Sequence, residues 1–458
     1  MSYTQGPCLD GCRLVLILAL ATAACGDDDA VAPDDDGGSE ADAASEPPID
    51  AAIDPVVDAA LPIDAAVEPT IVSIGAGNSV ACAVISTGQV RCWGANDQGQ
   101  VGAGERGMPL MVPTDVVGLT SAVTVDCGTA HCCARTSTGG AECWGWNAAG
   151  ELGANRVEAE LPYRASPAAA MLQPPEGPPA ELEDVAQISV GGAHNCALQG
   201  GAVSCWGWNA AGQGGLLPPP KGIERVIAAR PTGITDVVAL ALARPFLAEH
   251  SCAITATGDV VCWGLNNNGQ LGDGGTATRH TAQPVTGLAS ASAIVAGQQH
   301  TCAIARSTAA PKSPPGVYCW GLNNLGQAGP NAVTPQTTPV EVPGLASAVA
   351  LAAGVSHTCA VLDTGAARCW GANNFGQLGR DSVAEGAFPD PSDVVGTTGA
   401  GGLSGVVELS GGFGNTCART ATGEVYCWGQ NHVGQLGQGA AGPDVPRPVE
   451  VLVLPDAP

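Results

Sequence analysis

The chain has 458 residues, 45% of them apolar, with 64 Gly, 35 Pro and 19 Cys but only four Phe, four Tyr and four Met. Its 17 Lys plus Arg face 43 Asp plus Glu, a formal charge of −26, which excludes docking on nucleic acid or anionic lipid through a basic stripe. Length alone allows about three domains at roughly 150 residues each, the Gly content predicts many turns rather than long helices, and the cysteine count points to disulfides in an oxidising compartment.

The first element in chain order is an export signal. Arg13 precedes the apolar run Leu14 to Ala21 and then Thr22-Ala23-Ala24-Cys25, a stretch too short for a permanent membrane span. It resembles a bacterial lipoprotein signal over residues 1–25, which implies a lipid attached at Cys25 and a protein held on the cell envelope, periplasmic or at the surface. Thr22 stands where such signals usually carry Leu, and Ala21-Thr22-Ala23 would also suit ordinary cleavage and free secretion. Cys8 and Cys12 fall in the discarded segment.

Residues 26–68 hold 14 acidic residues and no basic one, in Asp/Ala/Pro-rich runs such as Pro48-Ile49-Asp50-Ala51. Such a segment repels itself and cannot bury enough apolar area to offset chain entropy. It is expected to be a disordered tether. More than half of the excess charge sits there, so residues 69–458, the expected folded domain, carry a net charge of only −12.

The folded part is one unit repeated. Cys-Trp-Gly recurs with Trp at 93, 144, 206, 263, 320, 370 and 428. Each copy runs on as Trp-Gly-x-Asn, two residues, Gly-Gln or Gly-Glu, and a Gly two further on, with spacings of 50 to 62 between tryptophans. A period in that range with strand-like content means a propeller or solenoid, which replaces the estimate of three domains.

A second cysteine precedes every Cys-Trp, giving the pairs Cys82/Cys92, Cys133/Cys143, Cys196/Cys205, Cys252/Cys262, Cys302/Cys319, Cys359/Cys369 and Cys417/Cys427. Placed opposite one another across an antiparallel hairpin, five pairs put Gly88, Gly139, Gly258, Gly365 or Gly423 at the last position of a three-residue loop, the αL site that favours glycine. The third pair centres on the two-residue turn Gly200-Gly201, and the fifth carries a Pro-rich insertion, Ala310 to Gly316, that bulges from the tip. Disulfides, zinc and free core thiols are the readings of such pairs. Zinc is disfavoured, because a pair per hairpin leaves each ion two ligands short, and the export signal favours disulfides over thiols. Cys127 and Cys132 replace Ala353 and Thr358 of the sixth repeat, so an eighth bridge is expected there.

The pattern resembles the repeats of the regulator of chromosome condensation family over residues 70–454, including a His-x-Cys-Ala entry at His131, His194, His250, His300 and His357, with Val80 and Asn415 departing in the first and last repeats. The resemblance implies an all-β, seven-bladed β-propeller of about four antiparallel strands per blade. Inner strands such as Ala293 to Ala296 are apolar, and outer ones such as Pro339 to Val342 are mixed. How the ring closes is open: the strand around Val449 to Val453 either latches beside blade one or completes blade seven.

Chemistry is sparse. The five repeat histidines are expected to be hydrogen-bonders within each blade, and the Trp of each Cys-Trp-Gly a packing residue between blades. No Gly-x-Ser-x-Gly, phosphate loop or His-Glu-x-x-His occurs. Segments such as Asn266-Asn267-Asn268-Gly269 lack the acidic count of a calcium loop, so turn chemistry explains them better. No catalytic residue, metal or cofactor is therefore expected. The variable residue of Trp-Gly-x-Asn reads Ala95, Trp146, Trp208, Leu265, Leu322, Ala372 and Gln430. Trp146, Trp208, Leu265 and Leu322 would lie at one height on one rim, either as an apolar arc that docks a partner or as filling between blades.

Three functions follow from these features. The leading expectation is a non-catalytic binding scaffold displayed outside a bacterial cell by its lipid anchor, a monomer with an unidentified protein or glycan partner and no nucleic acid. Similar secreted propellers include a β-lactamase inhibitor. Nucleotide exchange on a small GTPase, as in the namesake of the family, and a carbohydrate-active or protease- or lactamase-inhibiting propeller are the alternatives, although no carboxylate pair stands out for carbohydrate chemistry.

Overall fold

A computed structural model describes residues 68–153, 162–172, 178–216, 225–229, 231, 234–244, 249–331 and 335–454. The signal, Cys25 and the acidic segment up to residue 67 lie outside the described residues.

Each repeat folds into one antiparallel sheet whose four strands follow each other in chain order. In blade one these are Ile71–Ala76, Val80–Ile85, Val90–Gly94 and Leu110–Asp115, from the axis outward. The innermost strands of the other six blades are Ala122–Cys127, Val185–Val190, Val237–Leu242, Leu288–Ala296, Ala348–Ala353 and Val406–Gly411. The seven blades form a β-propeller. Blade three departs from four strands: Met171–Leu172 and Ala180–Glu181 extend its outer edge, so that its sheet has six.

Burial explains the difference between inner and outer strands. In Val237–Leu242 every residue but Val238 is buried, because both faces of an inner strand meet a neighbouring blade. The outer strand Gln336–Val342 has only its two ends buried. The core accordingly lies between blades rather than inside one. Seven clusters occupy the seven junctions; one joins Val80, Cys82, Val84 and Cys92 of blade one to Val125, Cys127, Cys132 and Trp144 of blade two. A single blade therefore has no complete core of its own, as in other repeat arrays.

The hairpins carry the cysteine pairs in direct opposition. Eight disulfides are formed. Seven cross the hairpins: Cys82–Cys92, Cys133–Cys143, Cys196–Cys205, Cys252–Cys262, Cys302–Cys319, Cys359–Cys369 and Cys417–Cys427. The eighth, Cys127–Cys132, joins the first two strands of blade two. Gly88, Gly139, Gly258, Gly365 and Gly423 all have φ between 77° and 95°, the left-handed conformation that a side chain would strain. The insertion in the fifth hairpin leaves the cysteine register intact, with Ala305 facing Gly316 as the last rung.

On its outer side the third strand departs from the regular ladder that the repeat pattern suggests. Its register with the fourth strand shifts between Cys143 and Gly145 in blade two, Cys205 and Gly207 in blade three, and Cys262 and Gly264 in blade four. The physical cause is the motif glycine: Gly145, Gly207 and Gly264 have φ of 99°, 96° and 99°, which bends the strand just past the disulfide. The second cysteine of each pair thus keeps its partner in the hairpin while the strand turns away from the outer edge.

Between blades runs a repeated polar belt. The indole N–H of each motif tryptophan donates to the main-chain carbonyl of the motif Gln or Glu one blade back, as from Trp320 to Gln270 at 2.9 Å and from Trp206 to Glu151 at 2.9 Å. The same carbonyl accepts a hydroxyl, for example that of Thr301 or Thr358, using its second lone pair. Because each hydroxyl gives its proton to the carbonyl, it must accept from the histidine one blade back: His250 Nε2 lies 2.8 Å from Thr301, His300 Nε2 2.9 Å from Thr358, and His357 Nε2 2.9 Å from Thr416. The histidines thus bond between blades, not within a blade as the repeat pattern suggests. Sequence position alone does not separate the two, since the partner is about one repeat away.

The departures at Val80 and Asn415 now have a cause. Val80 faces the junction where Cys132 replaces the hydroxyl, and Asn415 faces the one where Ala81 does. Where the acceptor is missing, so is the histidine.

The ring closes without strand exchange. Val445–Val451 pairs with Val425–Gly429 and completes blade seven. Closure rests on the same link as every other junction, Trp93 Nε1 to the Gln435 carbonyl at 3.0 Å, and on side chains that satisfy the inner edge of blade one. Glu408 accepts from Ile74 N at 3.2 Å, and Ser410 from Ala76 N at 2.6 Å. Arg419 holds Glu408 in place at 2.7 Å.

Burial, joined at His300 by the neighbouring His357, holds both imidazoles at a pKa of about 3, against 6.5 in the unfolded chain. The unfolded state then binds protons that the folded state refuses. Their contribution is fully present above pH 6.5 and is lost as pH falls towards 3, at up to about 1.4 kcal/mol per pH unit for each histidine. We expect His300→Asn/His357→Asn to be less stable at pH 7 yet to lose less stability between pH 7 and 4.5 in urea titrations. Equal losses in both proteins would mean that the imidazoles charge inside the fold.

The motif-loop face as candidate interaction site

The motif Trp-Gly-x-Asn-x-x-Gly-Gln builds one face of the ring. In every blade the Asn side-chain oxygen accepts from the main chain five residues on, as Asn266 does from Leu271 N at 3.0 Å, and the Gln or Glu oxygen accepts from the main chain two residues back, as Gln270 does from Asn268 N at 2.8 Å. These bonds account for the Asn-rich segments as turn chemistry. The closing glycine has a different reason: a Cβ on Gly102 or Gly437 would sit 3.0 Å from the indole nitrogen of the next blade's tryptophan.

The variable residue of the motif begins each loop beside the turn that joins the two inner strands. Its main-chain N–H donates to that turn in all seven blades, from Trp146 to Ala130 and from Leu322 to Gln299 among them. Trp146, Trp208, Leu265 and Leu322 are partly exposed there, whereas Ala95, Ala372 and Gln430 at the same position are buried. The four apolar residues therefore share a position in successive blades and keep surface in contact with solvent.

A second aromatic group on this face carries no repeat signal. Phe375 of blade six lies 5.4 Å from the Phe413 ring and edge-on to His432 at 6.1 Å. Phe375 and Phe413 are partly exposed and His432 is exposed, paired with Asp444 at 3.2 Å. Phe413 falls in the inner turn and Phe375 in the motif loop, so only the fold brings them together.

The axis of the ring holds another residue that the repeats hide. Blade four has seven residues between its first two strands, where blade two has three. Arg244, the second residue after the first strand, is fully buried; its guanidinium donates to the Ala76 carbonyl of blade one at 2.7 Å and pairs with Asp126 of blade two. Asp126 also accepts from Val190 N of blade three at 2.9 Å. One ion pair, with its arginine fully buried, thus links four blades, and the extra residues between the two strands are its only trace in the sequence.

Blade junction three to four holds a group of side chains that resembles a catalytic set. His194 lies 2.9 Å from Ser251 Oγ and 2.5 Å from Glu249, the order of a hydrolase triad. All three are buried, and Ser251 gives its proton to the Gln213 carbonyl at 2.8 Å. No substrate could reach that serine, and the position matches Thr301 and Thr358 of the belt. Two shallow clefts open on the opposite, hairpin-tip face, one by Thr255, Thr257 and Asp259, the other by Thr397, Thr422 and Tyr426. Their polar groups bond among themselves, as Thr257 does to Asp259 at 2.7 Å. Among the described residues, the one trio of potential metal ligands is Cys82, Cys127 and Cys132, all already in disulfides.

Comparison with known proteins agrees with this architecture. Two forms of the signature described as the regulator of chromosome condensation (RCC1) repeat match, one over residues 71–100, 248–270, 348–377 and 406–435, the other over 87–135, 316–361 and 422–457. The ultraviolet-B receptor UVR8 of Arabidopsis thaliana is 28% identical over 407 residues, covering 84% of this chain and 83% of the receptor. The probable E3 ubiquitin-protein ligase HERC6 of Homo sapiens is 30% identical over 249 residues, 53% of this chain but only 23% of the ligase. Among solved structures, Prp20p from Saccharomyces cerevisiae shares the fold at a TM-score of 0.62 and 18% identity, covering 83% of this chain and 87% of that one.

Proposed function

This chain belongs to the regulator of chromosome condensation repeat family, and from that premise we propose that it is a non-catalytic propeller that binds a protein through its motif-loop face. The observation that carries this reading is the partly exposed arc of Trp146, Trp208, Leu265 and Leu322, set beside a polar interior whose histidines, hydroxyls and carboxylates are spent on holding blades together. Aromatic residues on a rigid frame make effective anchors because few rotamers are lost on binding. Prp20p, which shares the fold, has binding properties towards Gsp1p and histones, and the partner of this chain is to be identified. The 23% coverage of the HERC6 ligase gives no ground for ligase activity.

The location proposed is outside the cytoplasm of a bacterium. Eight disulfides support an oxidising compartment, and the segment ending at Cys25 supports a lipid anchor followed by an acidic tether, with the propeller acting as a monomer. Incorporation of a labelled fatty acid that Cys25→Ser abolishes is the expected result; unlabelled protein in the medium would instead mark it as secreted.

The binding face is tested by affinity capture with the exported propeller as bait, alongside Trp146→Ala/Trp208→Ala. The variant is expected to lose its captured partner, by about tenfold or more in affinity for two anchors, while its thermal midpoint moves little. A large drop in the midpoint with unchanged partners would assign these tryptophans to packing between blades.

A further inference from the structure

The junction between blades one and two is unlike the other six in its sulfur content. In blade five, Cys302 of the hairpin disulfide lies 4.0 Å from the Thr358 hydroxyl of the next blade. In blade two that hydroxyl position is Cys132, so a second disulfide is set against the first. Cys82 Sγ lies 3.4 Å from Cys127 Sγ and 3.8 Å from Cys132 Sγ, and all three are fully buried in the apolar cluster of this junction. The belt is also missing its histidine here, where Val80 stands.

We propose that Cys82, Cys92, Cys127 and Cys132 form an exchange cluster, in which a thiol arising at one of them passes the disulfide across the junction and staples blade one to blade two. The thiol comes from incomplete oxidation during folding. When Cys127 is the thiolate it attacks Cys82 Sγ. The Cys82–Cys127 bond forms, the Cys82–Cys92 bond breaks, and Cys92 leaves as a thiolate that takes up the proton Cys127 released. The same link forms from the other side when Cys82 is the thiolate, with Cys132 leaving. Burial in an apolar cluster disfavours the thiolate, so the exchange runs slowly, on the scale of minutes to hours.

Removing one cysteine reads this without any reductant. Cys92→Ser leaves Cys82 unpaired, and the full chain is incubated in neutral buffer for hours, quenched with acid, unfolded, alkylated and mapped by peptide mass spectrometry. The expected result is a peptide joining Cys82 to Cys127, with alkylation moved from Cys82 to Cys132. Cys369→Ser in blade six is the control: its partner Cys359 is expected to keep all of the label. Label confined to Cys82, with Cys127 still joined to Cys132, overturns the proposal. Should Cys92→Ser fail to fold, Cys132→Ser approaches the same link from blade two, with alkylation expected on Cys92; label confined to Cys127 overturns it equally.

Discussion

Trp93→Ala is expected to destabilise the propeller by about 3–5 kcal/mol, the usual cost of emptying a large buried aromatic site, and to broaden its unfolding transition. Trp93 is 1% exposed and packs with Ile74, Ala81, Cys427, Leu436 and Val451 at the closing junction. That junction has the fewest substitutes. Ala81 supplies no hydroxyl, and both polar atoms of the buried Asn415 side chain lack a partner, so the indole bond to Gln435 is the link of the belt that remains. Trp93→Phe keeps most of the packing and loses that bond, at about 1–2 kcal/mol. Guanidinium titrations followed by near-ultraviolet circular dichroism would rank the two, with Trp320→Ala as the comparison at a complete junction. A cost for Trp93→Ala below about 1 kcal/mol would show that closure is carried elsewhere, through Glu408 and Ser410.

Reduction of the disulfides is expected to have a larger effect still, abolishing cooperative folding near 37 °C. Six hairpin bridges close sequence separations of 9 or 10 and one closes 17; in the chain-entropy view a ten-residue loop contributes about 2.7 kcal/mol. A few such terms, for instance those of Cys133–Cys143, Cys196–Cys205 and Cys252–Cys262 in three successive blades, reach the roughly 5–15 kcal/mol of net stability typical of a folded domain. The cores they brace are built largely from Ala and Val, with one Trp per junction as the large side chain. Thermal melts with and without a phosphine reductant measure this directly. A reduced protein melting within a few degrees of the oxidised one would show that packing between blades suffices without the bridges.

Much of this fold is written in local rules. The glycine at the end of each hairpin loop, the cysteines opposed across it and the apolar inner strands all follow from contacts within about 20 residues, and such contacts leave a periodic trace. The motif Asn and Gln are legible for the same reason, since their bonds stay within one loop. The histidine belt is ambiguous at that level because its partner lies about one repeat away, where two registers are equally consistent with the pattern. Phe413 and Phe375 carry no trace at all, and Arg244 shows only as an extra length of chain between two strands, since each differs from its repeat equivalents and acquires meaning only from neighbours in other blades.

Composition and short-range pattern suffice for the repeat number, the hairpins, the cysteine pairs and the excess of acidic residues, because each depends on residues close along the chain or on simple counts. Ring closure, the histidine links from one blade to the next, the bend of the third strand past Cys143, Cys205 and Cys262, and the meaning of Val80 and Asn415 as junctions without a hydroxyl acceptor emerge only in three dimensions. Those features arise from packing each blade against the next, between residues too far apart along the chain for a local pattern to pair them. The same packing set one disulfide against another at the first junction and left Trp146 and Trp208 partly open to solvent, which is where the function is sought.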